Sequence, residues 1–152
     1  MKLVIGIRFA SVVSSAALGL IAIGCSSEPE PSESTKAPTP MIITNSKLTG
    51  YKFLKDMYKD GYFPDFLVDK CKQILVDLSV QIETKKPSTD AELFELTHAA
   101  TERINDLAEE FEDNDSELET GAREALGEDF AFIVEAYGFE VDIEDVIAPR
   151  DW

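Results

Sequence analysis

His98 is the single histidine of the chain. Glu95 and Glu102 lie one turn to either side, so on a helix the three share a face, as a general base with an orienting carboxylate would require. No serine or cysteine nucleophile with its own supporting signature accompanies it. The same spacing serves a flank histidine bonded to a neighbouring acid. Carboxylate pairs of the kind that hydrolyse glycosides discriminate nothing in a chain with 30 acids, where some pair always has a suitable spacing. Asp113, Asp115, Glu117 and Glu124 fall at positions one, three, five and twelve of an EF-hand-like loop, but Leu118 stands at the sixth, where the sharp turn needs glycine. Ser116 with Glu119 three residues on explains the same stretch as a capping box that starts a helix. One histidine and two cysteines exclude a His-rich zinc site and a disulfide-dense scaffold. No metal, no cofactor and no catalytic residue is expected.

Charge is the stronger signal. The chain carries 30 acids against 14 bases, a formal −16. A field of that sign opposes the counterion release that draws proteins to nucleic acid, and it opposes a bare anionic membrane surface. The charge is uneven. Tyr51 to Lys86 is nearly balanced, with six acids and seven bases, whereas Pro87 to Trp152 holds 21 acids and three bases. Within that half, Glu102, Asp106 and Glu110 follow at four-residue steps, a ladder of like charges on one helix that costs roughly 0.2–0.5 kcal/mol per pair. These three, with Asp113, Asp115 and Glu117, form either a solvated face or a candidate surface for a basic protein partner.

A second candidate lies at the other end of the domain. Tyr51, Phe53, Tyr58, Tyr62, Phe63 and Phe66 fall within 16 residues, with Lys52, Lys55 and Lys59 between them. Such interleaving can stack bases or sugars, but helical spacing favours core packing. Tyr62 and Phe63 at the Gly61–Pro64 turn, together with His98, are the secondary candidate for a ligand site. Cys71 lies on an apolar stripe and is expected to be a buried, unreactive thiol.

The N-terminus sets the address. The first 27 residues contain no acid, Lys2 and Arg8 flank an apolar start, and Phe9 to Gly24 runs 16 residues without charge. That is shorter than the roughly 20 residues of a membrane span and reads as an export signal. Leu20-Ile21-Ala22-Ile23-Gly24-Cys25 resembles the lipobox of bacterial lipoproteins, with Ala22 where leucine is commonest. The resemblance implies cleavage before Cys25 and its lipidation. With more than one acyl chain, at about 0.8 kcal/mol per buried methylene, such an anchor is stable. Ser26 beside the cysteine is what outer-membrane lipoproteins of Gram-negative cells show. The expected location is thus the cell envelope: the outer membrane or periplasmic face of a Gram-negative cell, or the outer face of the plasma membrane in a Gram-positive one. Ser26 to Pro40 is rich in proline, serine and charge, lacks any large apolar residue and cannot form a core. The organisation expected is a signal peptide over 1–24, a lipidated cysteine and flexible tether over 25–48, and an acidic domain over 49–152.

The domain reads as helical nearly throughout. Phe53, Leu54, Met57 and Tyr58 predict a first helix near Tyr51 to Lys59. Pro64 opens a second, whose face is Leu67, Cys71, Ile74, Leu75, Leu78 and Ile82, closed by Lys85-Lys86-Pro87. Thr89 and Glu92 form a capping box before a third, continuous from Leu93 through Ile104 to Phe111. Ser116 starts a fourth, from Leu118 to Tyr137, with Gly127 as a kink and Gly138 as the C-cap. Asp142 caps a last turn through Ile143, Val146 and Ile147, which Pro149 stops. The fold class expected is all-α, a compact bundle of four to five amphipathic helices behind a signal peptide and a disordered tether.

YKFLKDMYKDGYFPDFLVDKCKQIL, ELFELTHAATERINDL and the closing AYGFEVDIEDVIAPRDW resemble a bacterial family of small acidic proteins classed as a domain of unknown function. The likeness covers about Asn45 to Trp152. It implies one all-α domain and supplies no activity, cofactor or catalytic residue. Two functions stay open. One is a membrane-anchored lipoprotein whose non-catalytic acidic domain binds a basic protein, as an immunity or inhibitor protein binds a toxin or enzyme. The other is a small envelope enzyme or ligand-binding module using the aromatic and His98 region.

Overall fold

Pro64 and Lys86 bracket the longest element. The structure, a computed structural model, describes residues 42–152, so the expected signal peptide, Cys25 and most of the expected tether lie outside the described residues. Pro64 is the N-cap of α1, Asp65–Lys85, where its missing N–H costs no helical bond. Lys86 ends the helix in the left-handed region, its N–H bonded to the Ile82 carbonyl. The stripe named above is the buried face, from Leu67 to Ile82. It packs most extensively on α2, Asp90–Asn105. Thr89 caps α2 by accepting from the Glu92 N–H, while the Glu92 carboxylate reaches back to the N–H and hydroxyl of Ser88, one residue earlier than a standard capping box.

Helix α4, Thr120–Ala136, also packs on α1 and runs through Gly127 unbroken. Its end is a Schellman motif: Gly138 takes φ +87°, its N–H bonds the Glu135 carbonyl, and the Phe139 N–H bonds that of Val134. Asp142 caps the short α5, Ile143–Val146, which bridges α2 and α4. All elements among the described residues are helical, and none is long and apolar enough to cross a membrane. Phe111, Phe130, Leu67, Leu75, Leu93, Ile104, Leu126 and Ile133 are fully buried at the centre, each contributing roughly 1.5–3 kcal/mol.

Four expectations need correction. First, Tyr51–Lys59 is not a helix: only Met57–Lys59 makes a 3₁₀ turn, and Leu54 stands at φ +54°. No right-handed helix accommodates that residue, yet Phe53, Leu54 and Met57 are buried as their spacing suggested. Second, the helix expected through Phe111 breaks after Asn105 and resumes as α3, Ala108–Glu112. The Asn105 side chain turns away to the Pro149 carbonyl, and the break delivers Phe111 to the core. Third, Ser116 caps nothing. Its N–H and that of Asp115 close a Schellman-type end on α3, bonding the Phe111 and Glu112 carbonyls, with Asp115 left-handed at φ +56°. Glu119, not Ser116, precedes α4. Fourth, the packed chain reaches further back than residue 49. Leu48 is buried, Ile43 packs on the core, and Thr44 and Asn45 are bonded to α1, so the last residues assigned to the tether belong to the domain.

Candidate functional site

The acidic residues separate once the helix breaks. Glu102 is on α2 and accepts from the Asn105 side chain; Asp106 is exposed in the turn; Glu110 is on α3 and is paired with Lys70 of α1. The ladder expected along one helix is therefore interrupted, which removes part of its like-charge cost. Asp113, Asp115 and Glu117 are exposed in the loop that follows. Among the described residues, Glu110 and Glu144 are the only acids after Pro87 held in ion pairs. Apart from the buried Asp129, the rest present negative charge to solvent without an ion-pair partner. No group of three or more acids, histidines or cysteines among the described residues is arranged to hold a metal ion.

Tyr62 and Phe63 divide in role. Phe63 is buried, its ring 3.7 Å from where a Cβ on Gly121 would stand, an ordinary packing distance against the start of α4. Tyr62 meets Phe63 edge-on with centroids 5.1 Å apart and is 40% exposed. Phe66, in the first turn of α1, is 52% exposed, the most open aromatic among the described residues. The packing of Phe63 at Gly121 sets the aromatic turn beside the end of the acidic loop. Burial, then the carboxylates of Glu119 and Glu117, push the Tyr62 hydroxyl above its ordinary value. The sequence set these two features at opposite ends; the fold makes them neighbours.

His98 has other company. Its Nε2 lies 2.8 Å from the Asp145 carbonyl, so that nitrogen carries the proton and donates. Its ring stacks on Phe94 at 5.7 Å with planes 3° apart. The flanking carboxylates are not its partners. The imidazole ties α5 to α2, and the structure gives it neighbours different from those of Tyr62 and Phe63.

Two carboxylates that spacing did not single out join distant parts of the chain. Asp129 is buried on α4 and accepts from the Tyr51 hydroxyl and the Leu54 N–H, each at 2.7 Å. The second bond holds Leu54 in a conformation that costs about 1–2 kcal/mol. Burial pushes the Asp129 carboxyl up, against the pull of those two donors. The signal was present: Asp129 stands on the stripe of Ala122, Leu126, Phe130 and Ile133, where an acid demands partners. Glu83, on α1, accepts from the N–H and hydroxyl of Thr44, the N–H of Asn45 and the Tyr137 hydroxyl at 2.8–3.0 Å. Burial raises Glu83, but the donors outweigh it and hold its carboxyl below the usual range. A groove of about 440 Å³ opens beside it, lined by Ile82, Lys86, Pro87 and Phe139 among others. Every oxygen of that carboxylate is already engaged by the fold.

Cys71 is buried in the stripe of α1 as expected, a free thiol pushed up to about 12 by burial.

No curated protein and no solved structure matches the chain. One family model does, over residues 47–152, the stretch that folds as this bundle: the chain belongs to the family of unknown function DUF5713.

Proposed function

We propose that this is a lipid-anchored protein whose non-catalytic acidic domain binds a basic protein partner, in the manner of an immunity or inhibitor protein. The observation that carries the reading is the segment from Glu109 to Glu119. Seven of its residues are carboxylates, and only Glu110 is ion-paired. Uncompensated charge on an ordered surface raises the on-rate of an opposite partner and excludes polyanions. The anchor rests on the leader and Cys25, which would hold the domain at the envelope where such a partner would be met.

Affinity capture from detergent-solubilised envelopes at low and high salt tests the binding. A basic protein retained at low salt and released at high salt is the expected result. Retention independent of salt, or no partner, counts against electrostatic capture. Metabolic labelling with a fatty-acid analogue tests the anchor, with incorporation expected in the wild type and lost in Cys25→Ser.

A further inference from the structure

We infer that the exposed aromatics at the start of α1, Tyr62 and Phe66, are the anchor point of this surface, and that they receive an arginine-bearing cationic segment of a protein partner. The inference rests on the reading of the domain as a binder of basic proteins and narrows it to a place and a chemistry.

Three observations converge. Most large apolar side chains of the domain are buried, whereas Tyr62 and Phe66 keep 40% and 52% of their surface in water within five residues of each other. The fold borders both with carboxylate. Phe63 packs at Gly121, two residues after Glu119, so the turn that carries Tyr62 sits beside the end of the acidic loop, with Asp60 on the turn itself. The carboxylates of Glu119 and Glu117 accordingly help raise the Tyr62 hydroxyl. One helical turn beyond Phe66, Lys70 is paired with Glu110 of α3, which ties the acidic segment to the same end of α1. The turn is also firmly set. Phe63 is buried against Gly121, Tyr62 rests edge-on upon it, and the Asp60 carboxylate accepts the Tyr62 N–H at 3.0 Å. Aromatic surface presented on a fixed turn costs little ordering on binding.

The charge complementarity selects the occupant. An apolar centre inside a polar rim is the anatomy of a binding hot spot, and a carboxylate rim asks for cations. Arginine satisfies both halves, its flat guanidinium covering a ring face while its N–H groups bond carboxylates. A cation over a ring already occurs nearby, where Lys72 lies 5.7 Å from the Tyr58 centroid. The rim repels nucleic acid and anionic lipid headgroups.

The test uses the full-length chain in detergent and two synthetic peptides of equal charge, one built on arginine and one on lysine, with binding followed by calorimetry. The arginine peptide is expected to bind more tightly. Y62A/F66A should weaken it by about tenfold or more, and E135Q/E140Q, which removes two exposed acids at the far end of α4, by less than about twofold. Both aromatics are exposed, so circular dichroism should show the wild-type fold in Y62A/F66A. Equal losses in the two variants would overturn the aromatic anchor while leaving electrostatic capture standing. Undiminished binding by Y62A/F66A, together with loss in a variant neutralised at Glu112, Asp113 and Glu117, would do the same. No binding of either peptide would count against both readings. Tyr62-dependent binding to vesicles of zwitterionic or anionic lipid, or self-association abolished by Y62A/F66A, would reassign the patch to a membrane or to a second copy.

Discussion

Asp129 and Glu83 are both carboxylates that join distant parts of the chain, yet burial and hydrogen bonding win in opposite orders, and this is open to measurement. Asp129 has its carboxyl raised, so its contribution is fullest below the ordinary aspartate value and is lost as the pH rises through the folded-state value. Glu83 is lowered, so its contribution is full above the ordinary glutamate value and is lost as the pH falls through the folded-state value. Asp129→Ala orphans the buried Leu54 N–H and should cost about 2–3 kcal/mol, and Asp129→Asn, which keeps one acceptor, about 1. In urea titrations across the acid range, the deficit of Asp129→Asn should narrow as the pH rises from below about 4, whereas that of Glu83→Gln should widen. Parallel slopes for the two variants would refute the assignment. Cys71 gives a third check. With its thiol pushed up to about 12 and no exposed surface, it should resist a thiol reagent in the native protein and react only as fast as the bundle opens.

At the level of elements, local rules sufficed wherever a helix end is made by its own residues. Pro64, Thr89, Gly138 and Asp142 each act at or within one position of where their chemistry placed them. They failed where a distant group, or a competing local helix end, decides the backbone. The spacing of Phe53, Leu54 and Met57 correctly marked core residues, but periodicity does not reveal that Asp129, 75 residues away, captures the Leu54 N–H and forbids a helix there. Ser116 looked like a cap because its side chain and its distance to Glu119 fit, but its backbone was already committed to ending α3. The candidate site was legible as two separate lists, acids and aromatics. Their adjacency was not, because it depends on Phe63 docking at Gly121 and on Glu110 reaching Lys70. The N-terminal strand of chain before α1 makes a further prediction. A variant starting at residue 42 should fold, whereas one starting at 49 loses the burial of Leu48 and the bonds to Glu83. It should unfold about 2–4 kcal/mol more easily in denaturant.

For the whole molecule, the dominant fact is that one half of the sequence carries 21 acids against three bases and still packs into a single bundle. Self-repulsion on that scale opposes the compact state and is screened by salt. The thermal midpoint should therefore rise by several degrees as sodium chloride goes from about 0.01 M to about 1 M, over which the Debye length falls from about 30 Å to about 3 Å. Four surface ion pairs, each worth little, should not reverse that trend. A flat or falling midpoint would mean that the carboxylates are less coupled than their density implies. The contacts of Glu83 matter mechanically as well. A pull arriving along the chain from the N-terminal side meets Thr44 and Asn45. Their backbone bonds to the Glu83 carboxylate act together with the Asn45 side-chain bond to the Ala136 carbonyl. Tension is thereby shared between the ends of α1 and α4 and must break several bonds at once, so the bundle should resist unravelling from its N-terminal side.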